Sequence, residues 1–172
     1  AARFEKPRSA DLPLDLCGPS DYPGPGKEPA MATAAFEDIA ETFGFLDDWE
    51  DRYRHVIDLG RAMPPLDDSF KVPALKVDGC ASQVWIHSRI QMTPEGQKLH
   101  LQGDSDALIV KGLIAVLFAV YAGKSLEEIL ATDAQAVFAS LGLKDHLTPQ
   151  RSNGLAAMVQ RIRTDAEAAL RA

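Results

Sequence analysis

Cys80 lies in the run Val77-Asp78-Gly79-Cys80-Ala81-Ser82-Gln83-Val84-Trp85, directly after a glycine and between two stretches that alternate apolar with polar residues. Such alternation marks strands, so the cysteine falls at the bend that joins them. Gly79 has no Cβ and takes up backbone angles that other residues avoid, which lets the thiol project from a tight connection. A thiol at a loop tip can be offered to a partner, and its thiolate is the attacking species. The same residues also permit inert packing, because free cysteines are among the most buried residue types. Ser82 and Gln83 flank the thiol, where they either shape its loop or serve local turn hydrogen bonds.

Other chemistry-bearing residues are less organised. The chain has two cysteines, Cys17 and Cys80, and neither belongs to a CxxC pair. Two thiols cannot build a four-cysteine zinc site. His55, His87, His100 and His146 show neither HxxxH nor HExxH spacing, so no metal site is expected. Strand alternation puts His87 and His100 on one polar face as cross-sheet neighbours. A histidine paired with Cys80 would make a thiol hydrolase, but no pattern ties one of the four to it.

The elements that must hold Cys80 follow from periodicity. Phe36, Ile39, Ala40, Phe43 and Leu46 fall at helical spacing. Asp47 with Glu50 reads as the cap of a second helix, whose apolar face is Trp49, Tyr53, Val56 and Ile57 and whose stop is Gly60. Pro64 and Pro65 then force an extended connection. Between Val72 and Gln102 the period changes to two, through Leu75 and Val77, then Val84, Ile86 and Ile90, then Leu99 and Leu101. Thr93-Pro94-Glu95-Gly96 supplies a turn. The expectation is a three-stranded antiparallel sheet.

Ser105 is expected to cap a helix from about Asp106 to Tyr121, closed by Gly123. This helix is apolar nearly all round and belongs in the middle of the core. Ser125-Leu126-Glu127-Glu128 forms a capping box, and Asp133 opens a further helix ended near Gly142. Thr148 and Pro149 start the last helix, which turns Leu155, Met158, Val159 and Ile162 inward. Two helices, a small sheet and several more helices make an α+β fold.

Composition narrows the function. With 172 residues, 46% hydrophobic and 25% charged, the chain suits one ordinary globular domain. A formal net charge of -7 argues against nucleic acid and against an anionic membrane surface. The longest apolar run, Gly112 to Ala122, is eleven residues, whereas a membrane span needs about twenty. No apolar stretch precedes a small-residue cleavage site at the N-terminus, and unpaired thiols suit a reducing cytoplasm. Residues 1–30 hold six of the eleven prolines without periodicity and are expected to form a disordered or added tail, with the domain spanning 31–172.

The segment VDGCASQVWIHSR, the downstream LQGDSDALIVKGLIAVLFAVYAGKSLEEIL and HLTPQRSNGLAAMVQRIR, with WEDRYRHVIDLGRAMP ahead of them, resemble the SufE family, including its CsdE branch. The resemblance runs collinearly from about Phe36 to Arg163. It implies an α+β domain akin to the IscU scaffold, with Cys80 as a sulfur acceptor. The implied donor is the persulfide of a pyridoxal-phosphate cysteine desulfurase of the SufS or CsdA type, and the implied recipient a SufBCD-like scaffold. The chain would then be a persulfide relay and desulfurase activator rather than a stand-alone turnover enzyme. No cofactor is expected on the chain itself, since the donor carries the pyridoxal chemistry.

Two further residues gain meaning from the resemblance. Arg151 matches an arginine of the family's desulfurase-facing region; its guanidinium would steady a thiolate or dock on the donor, or else make a surface ion pair. Asp106 matches a family position near the cysteine loop, but helix-dipole capping, worth about 0.3–1 kcal/mol, is the favoured expectation for it. Cys17 lies outside the resemblance, as a bystander. An oxidisable thiol gains from shelter between transfers, and Val77, Ala81, Val84 and the helix after Asp106 are expected to supply it. Two competing chemical readings are an IscU-type scaffold, which needs several thiolates together, and a cysteine-nucleophile hydrolase, which needs a positioned base; a third, a purely structural interaction domain, would leave Cys80 indifferent to alkylation.

Overall fold

A computed structural model describes residues 36–172; the expected tail over 1–30, and Cys17 within it, lie outside the described residues. The first helical pattern forms α1 (Phe36–Phe45), which buries Ile39 and Phe43. The second forms α2 (Trp49–Ala62), capped by Asp48 rather than Asp47, with its carboxylate accepting from the Glu50 N–H at 3.1 Å. Gly60 does not stop α2. It lies inside the helix, where a Cβ would stand 2.6 Å from the Gly112 backbone nitrogen. A Cβ on Gly112 would come within 1.9 Å of the Val56 carbonyl oxygen. These glycines let α2 cross the central helix at backbone contact, a reason for glycine that local turn chemistry does not reveal.

The described sheet has two strands, β1 (Val84–Thr93) and β2 (Gly96–Ser105), antiparallel with Val84 opposite Ser105 and Thr93 opposite Gly96. Pro94 and Glu95 make the turn, where the Thr93 hydroxyl donates to the Gly96 carbonyl at 2.8 Å. The expected third strand around Leu75 and Val77 is not there. Pro73 has no N–H for a ladder, and residues Pro73–Leu75 wind into a 3₁₀ turn. Strand-like pairing survives only as a bridge between Lys76 and Trp85 and the Val77 N–H donating to the Val84 carbonyl at 2.8 Å. His87 faces Gln102 and His100 faces Arg89, so the two histidines are diagonal neighbours rather than a direct pair. His87 stacks on Phe70 at 4.4 Å between ring centroids.

The central helix α3 (Leu108–Tyr121) is buried on almost every side. Burying side chains such as Leu113, Ile114 and Leu117 contributes roughly 1.5–3 kcal/mol each. It starts two residues later than expected, with Ala107 at its cap, because β2 runs on to Ser105 and Asp106 turns to another task. The capping box opens α4 (Leu126–Ala131) and Asp133 caps α5 (Ala134–Ser140), both as expected.

The last helix, α6 (Pro149–Arg171), is capped by Thr148 and buries Leu155, Met158 and Ile162. Its Asp165 accepts from the Ser88 hydroxyl of β1 and from the Arg161 guanidinium at 3.2 Å. Arg161 also donates to the Ala74 carbonyl at 3.2 Å, and Arg163 to the Leu130 carbonyl at 2.7 Å. α6 is thereby tied to the hairpin, to the segment before Cys80 and to α4. The architecture of the described residues is α+β: five α-helices around α3, with the hairpin closing one side. No helix among the described residues is long and apolar enough to cross a membrane.

Candidate functional site

The cysteine loop springs from a fixed neck. The Val77–Val84 hydrogen bond closes its base, and Gly79 turns the chain at φ +93°. That angle is strained for a side chain, so glycine is required there. Asp106 holds the loop's second foot. Its carboxylate accepts the Gln83 N–H at 3.0 Å while its own N–H donates to the Gln83 carbonyl at 3.4 Å. Between the two candidate roles for Asp106, the geometry is that of a loop brace, not a cap of α3. Gln83 takes part through its backbone; its side chain, like most of the tip, faces solvent.

Cys80 is half-buried and unpaired. It closes a small cavity of about 20 Å³ lined also by Ala81, Ser82, Val110, Leu113, Gln150, Arg151, Gly154 and Met158. A space of that size holds no more than about one water. The structure therefore brings Cys80, Ser82 and Arg151 to one site, with Asp106 and Gly79 shaping the loop. Of the shelter expected for the thiol, Ala81 and α3 take part. α3 contributes Val110 and Leu113, whereas Gly154 and Met158 of α6 were not anticipated. A glycine in mid-helix was the available signal for Gly154, since it costs about 1 kcal/mol relative to alanine and calls for a packing reason.

Burial pushes the Cys80 thiol above its ordinary range, and the Asp78 carboxylate adds to the effect. The resting group is therefore a protonated thiol near neutral pH. Arg151 is half-buried beside it, and among the described residues its guanidinium makes no ion pair.

Beneath the neck sits an unexpected buried charge. Asp104, opposite Trp85 and only 6% exposed, accepts from Lys111 and Lys71 at 3.2 Å each and from the Ser105 N–H at 2.9 Å. Burial pushes its carboxyl up, but these three donors outweigh it and hold the group below the usual carboxylate range. The cluster pins the segment leading into the loop to β2 and α3. A larger groove of about 440 Å³, lined by Met63, Leu99, Leu101 and Phe118 among others, opens elsewhere and contains none of these groups. Among the described residues no cluster of three or more His, Cys, Asp or Glu side chains could hold a metal ion.

A lone thiol among the described residues thus sits on a glycine-bent loop of an α+β domain, braced at both feet and seated on a helix. Residues 37–166 match the model of the SufE family, an Fe–S metabolism associated domain. An uncharacterized SufE-like protein of Rhizobium etli is 50% identical over 134 residues, covering 78% of this chain and 90% of that protein. Another, from Rhizobium meliloti, is 44% identical over 136 residues, covering 79% and 97%. The solution structure of a hypothetical protein from Thermus thermophilus aligns with a TM-score of 0.64 at 23% identity, over 85% of this chain and all of the other, which speaks for the fold alone. The chain belongs to the SufE family.

Proposed function

We propose that this protein accepts sulfur on Cys80 from the persulfide of a cysteine desulfurase, stimulates that enzyme, and relays the sulfur to a SufBCD-like scaffold in the cytoplasm. The observation that carries the reading is the seat of Cys80: the one cysteine among the described residues stands at a braced loop tip in a SufE-family domain. In the transfer, the Cys80 thiolate forms a bond to the outer sulfur of the donor persulfide. The donor's S–S bond breaks, its electron pair stays on the donor cysteine, and that cysteine leaves as a thiolate. Cys80 then carries the persulfide. Arg151, lining the same cavity, supplies a fixed positive charge for the anionic sulfur once the thiol ionises.

Neither competing chemical reading gains support. No histidine or carboxylate lines the Cys80 cavity to serve as a general base. A cluster scaffold needs several thiolates converging, and the described residues offer one.

The test is mass spectrometry of the protein after incubation with a cysteine desulfurase and cysteine. Cys80 is expected to gain the mass of one sulfur, and Cys80→Ser to abolish both uptake and stimulation while keeping the fold. Uptake that persists in Cys80→Ser, or appears on Cys17, would overturn the assignment.

A further inference from the structure

Gly154 occupies the sixth position of the 23-residue helix α6, past its capped first turn and inside the helix. Its backbone is not in the left-handed region, so no turn demands a glycine there. Inside a helix, glycine is a cost and alanine an improvement. What Gly154 does clear is Cys80. A Cβ at position 154 would lie 3.0 Å from the Cys80 Sγ and 3.5 Å from its Cα and Cβ. The neighbouring loop residue repeats the arrangement, since a Cβ on Gly79 would meet the Ala157 Cβ at 3.5 Å. Two successive loop residues thus rest on two small residues spaced one helical turn apart.

We infer that Gly154 is a positioning residue for the Cys80 thiol: its missing side chain opens the seat on α6 in which the thiol rests, so the residue at 154 sets how often the thiol stands exposed. Crowding at this contact must move either the helix or the loop. α6 is held beside Gly154 by its buried Leu155 and Met158, and farther along by Asp165 to Ser88, Arg161 to Ala74 and Arg163 to Leu130. The loop is held only at its feet, by Val77 to Val84 and Gln83 to Asp106, with an exposed tip between them. The tip gives way, and the thiol leaves its apolar wall of Val110, Leu113 and Met158. Exposure restores solvation to the thiolate and raises its population. For its role in sulfur transfer this inference rests on the reading of Cys80 as acceptor; the seat itself is a property of the free protein.

The experiment is alkylation of the full chain by iodoacetamide, read at Cys80 by mass spectrometry as a function of pH, for Gly154→Ala, Gly154→Ser and Gly154→Val. Alanine and serine are expected to speed modification about threefold and valine about tenfold, with the midpoint of the rate–pH profile moving down in the same order. Asn153→Ala, an exposed neighbour on the same helix, is expected to keep the wild-type rate and midpoint. Circular dichroism identifies any variant that fails to fold; should valine fail, the alanine and serine variants decide. A folded Gly154→Ala with wild-type rate and midpoint, or a slower one, overturns the inference. Loss of sulfur uptake bears on Cys80 as acceptor and is read separately in the Cys80→Ser comparison.

Discussion

At the scale of single residues, the site is a compromise between shelter and reactivity. Burial and the Asp78 carboxylate both hold Cys80 in its protonated form, while the attacking species is the thiolate. Asp78 is exposed and adjoins the loop glycine, so its charge can be removed without touching the packing. Asp78→Asn is expected to lower the pH midpoint for Cys80 alkylation and to speed the reaction at neutral pH by a factor of about two to five. The effect should shrink in high salt, because the Asp78 charge acts from solvent. A rate that is unchanged at low salt would show that burial alone sets the thiol's acidity.

At the scale of elements, the loop depends on the end of β2 and the start of α3, where Asp104 gathers Lys71 and Lys111 beneath Trp85. Breaking a buried ion pair by removing one partner leaves charge uncompensated. Asp104→Asn is expected to lower stability by about 2–4 kcal/mol, less than a fully buried pair would lose because both lysines reach solvent. The pH dependence has a definite sign. The folded carboxyl titrates below its unfolded value, so its stabilisation is complete above about pH 4 and is lost as the pH falls through the lower, folded pKa. Denaturant melts from pH 7 to pH 2 are therefore expected to converge for wild type and Asp104→Asn at the acid end. A constant gap down to the lowest pH would mean that the carboxylate's charge is not what stabilises.

At the scale of the whole molecule, the domain closes on itself within the described residues: α3 is wrapped by α2, the hairpin and α6, and the family match spans 37–166. The sequence of residues 1–30 shows no periodic apolar pattern. A chain beginning at Met31 is expected to keep its thermal midpoint within a degree or two and to accept sulfur normally, since surface segments without packing change stability little. A drop of about 5 °C or more would reveal packing by the missing segment, at roughly 1.5 kcal/mol for a domain of this size.

Much of this molecule is written in local chemistry. Helical and strand periods, the Ser125 capping box, Asp133, Thr148 with Pro149, the hairpin turn and the glycine before Cys80 all act through neighbours within a few residues, and each lies where the chain places it. What local pattern could not supply were contacts between residues far apart in the chain. Alternation around Leu75 suggested a strand, but a ladder needs donors along its length and Pro73 removes one, leaving a bridge. Gly60 resembled a helix stop and is instead the place where two backbones meet. Asp106 resembled a helix cap and braces Gln83, 23 positions earlier, because β2 carries the chain past the point where a cap would form. Lys71, Asp104 and Lys111 look like scattered surface charges until the fold buries the carboxylate between them. Local propensity acts over one or two turns of chain. The thiol's seat joins a loop to a helix 74 residues downstream, at Gly154, and only packing brings those two together.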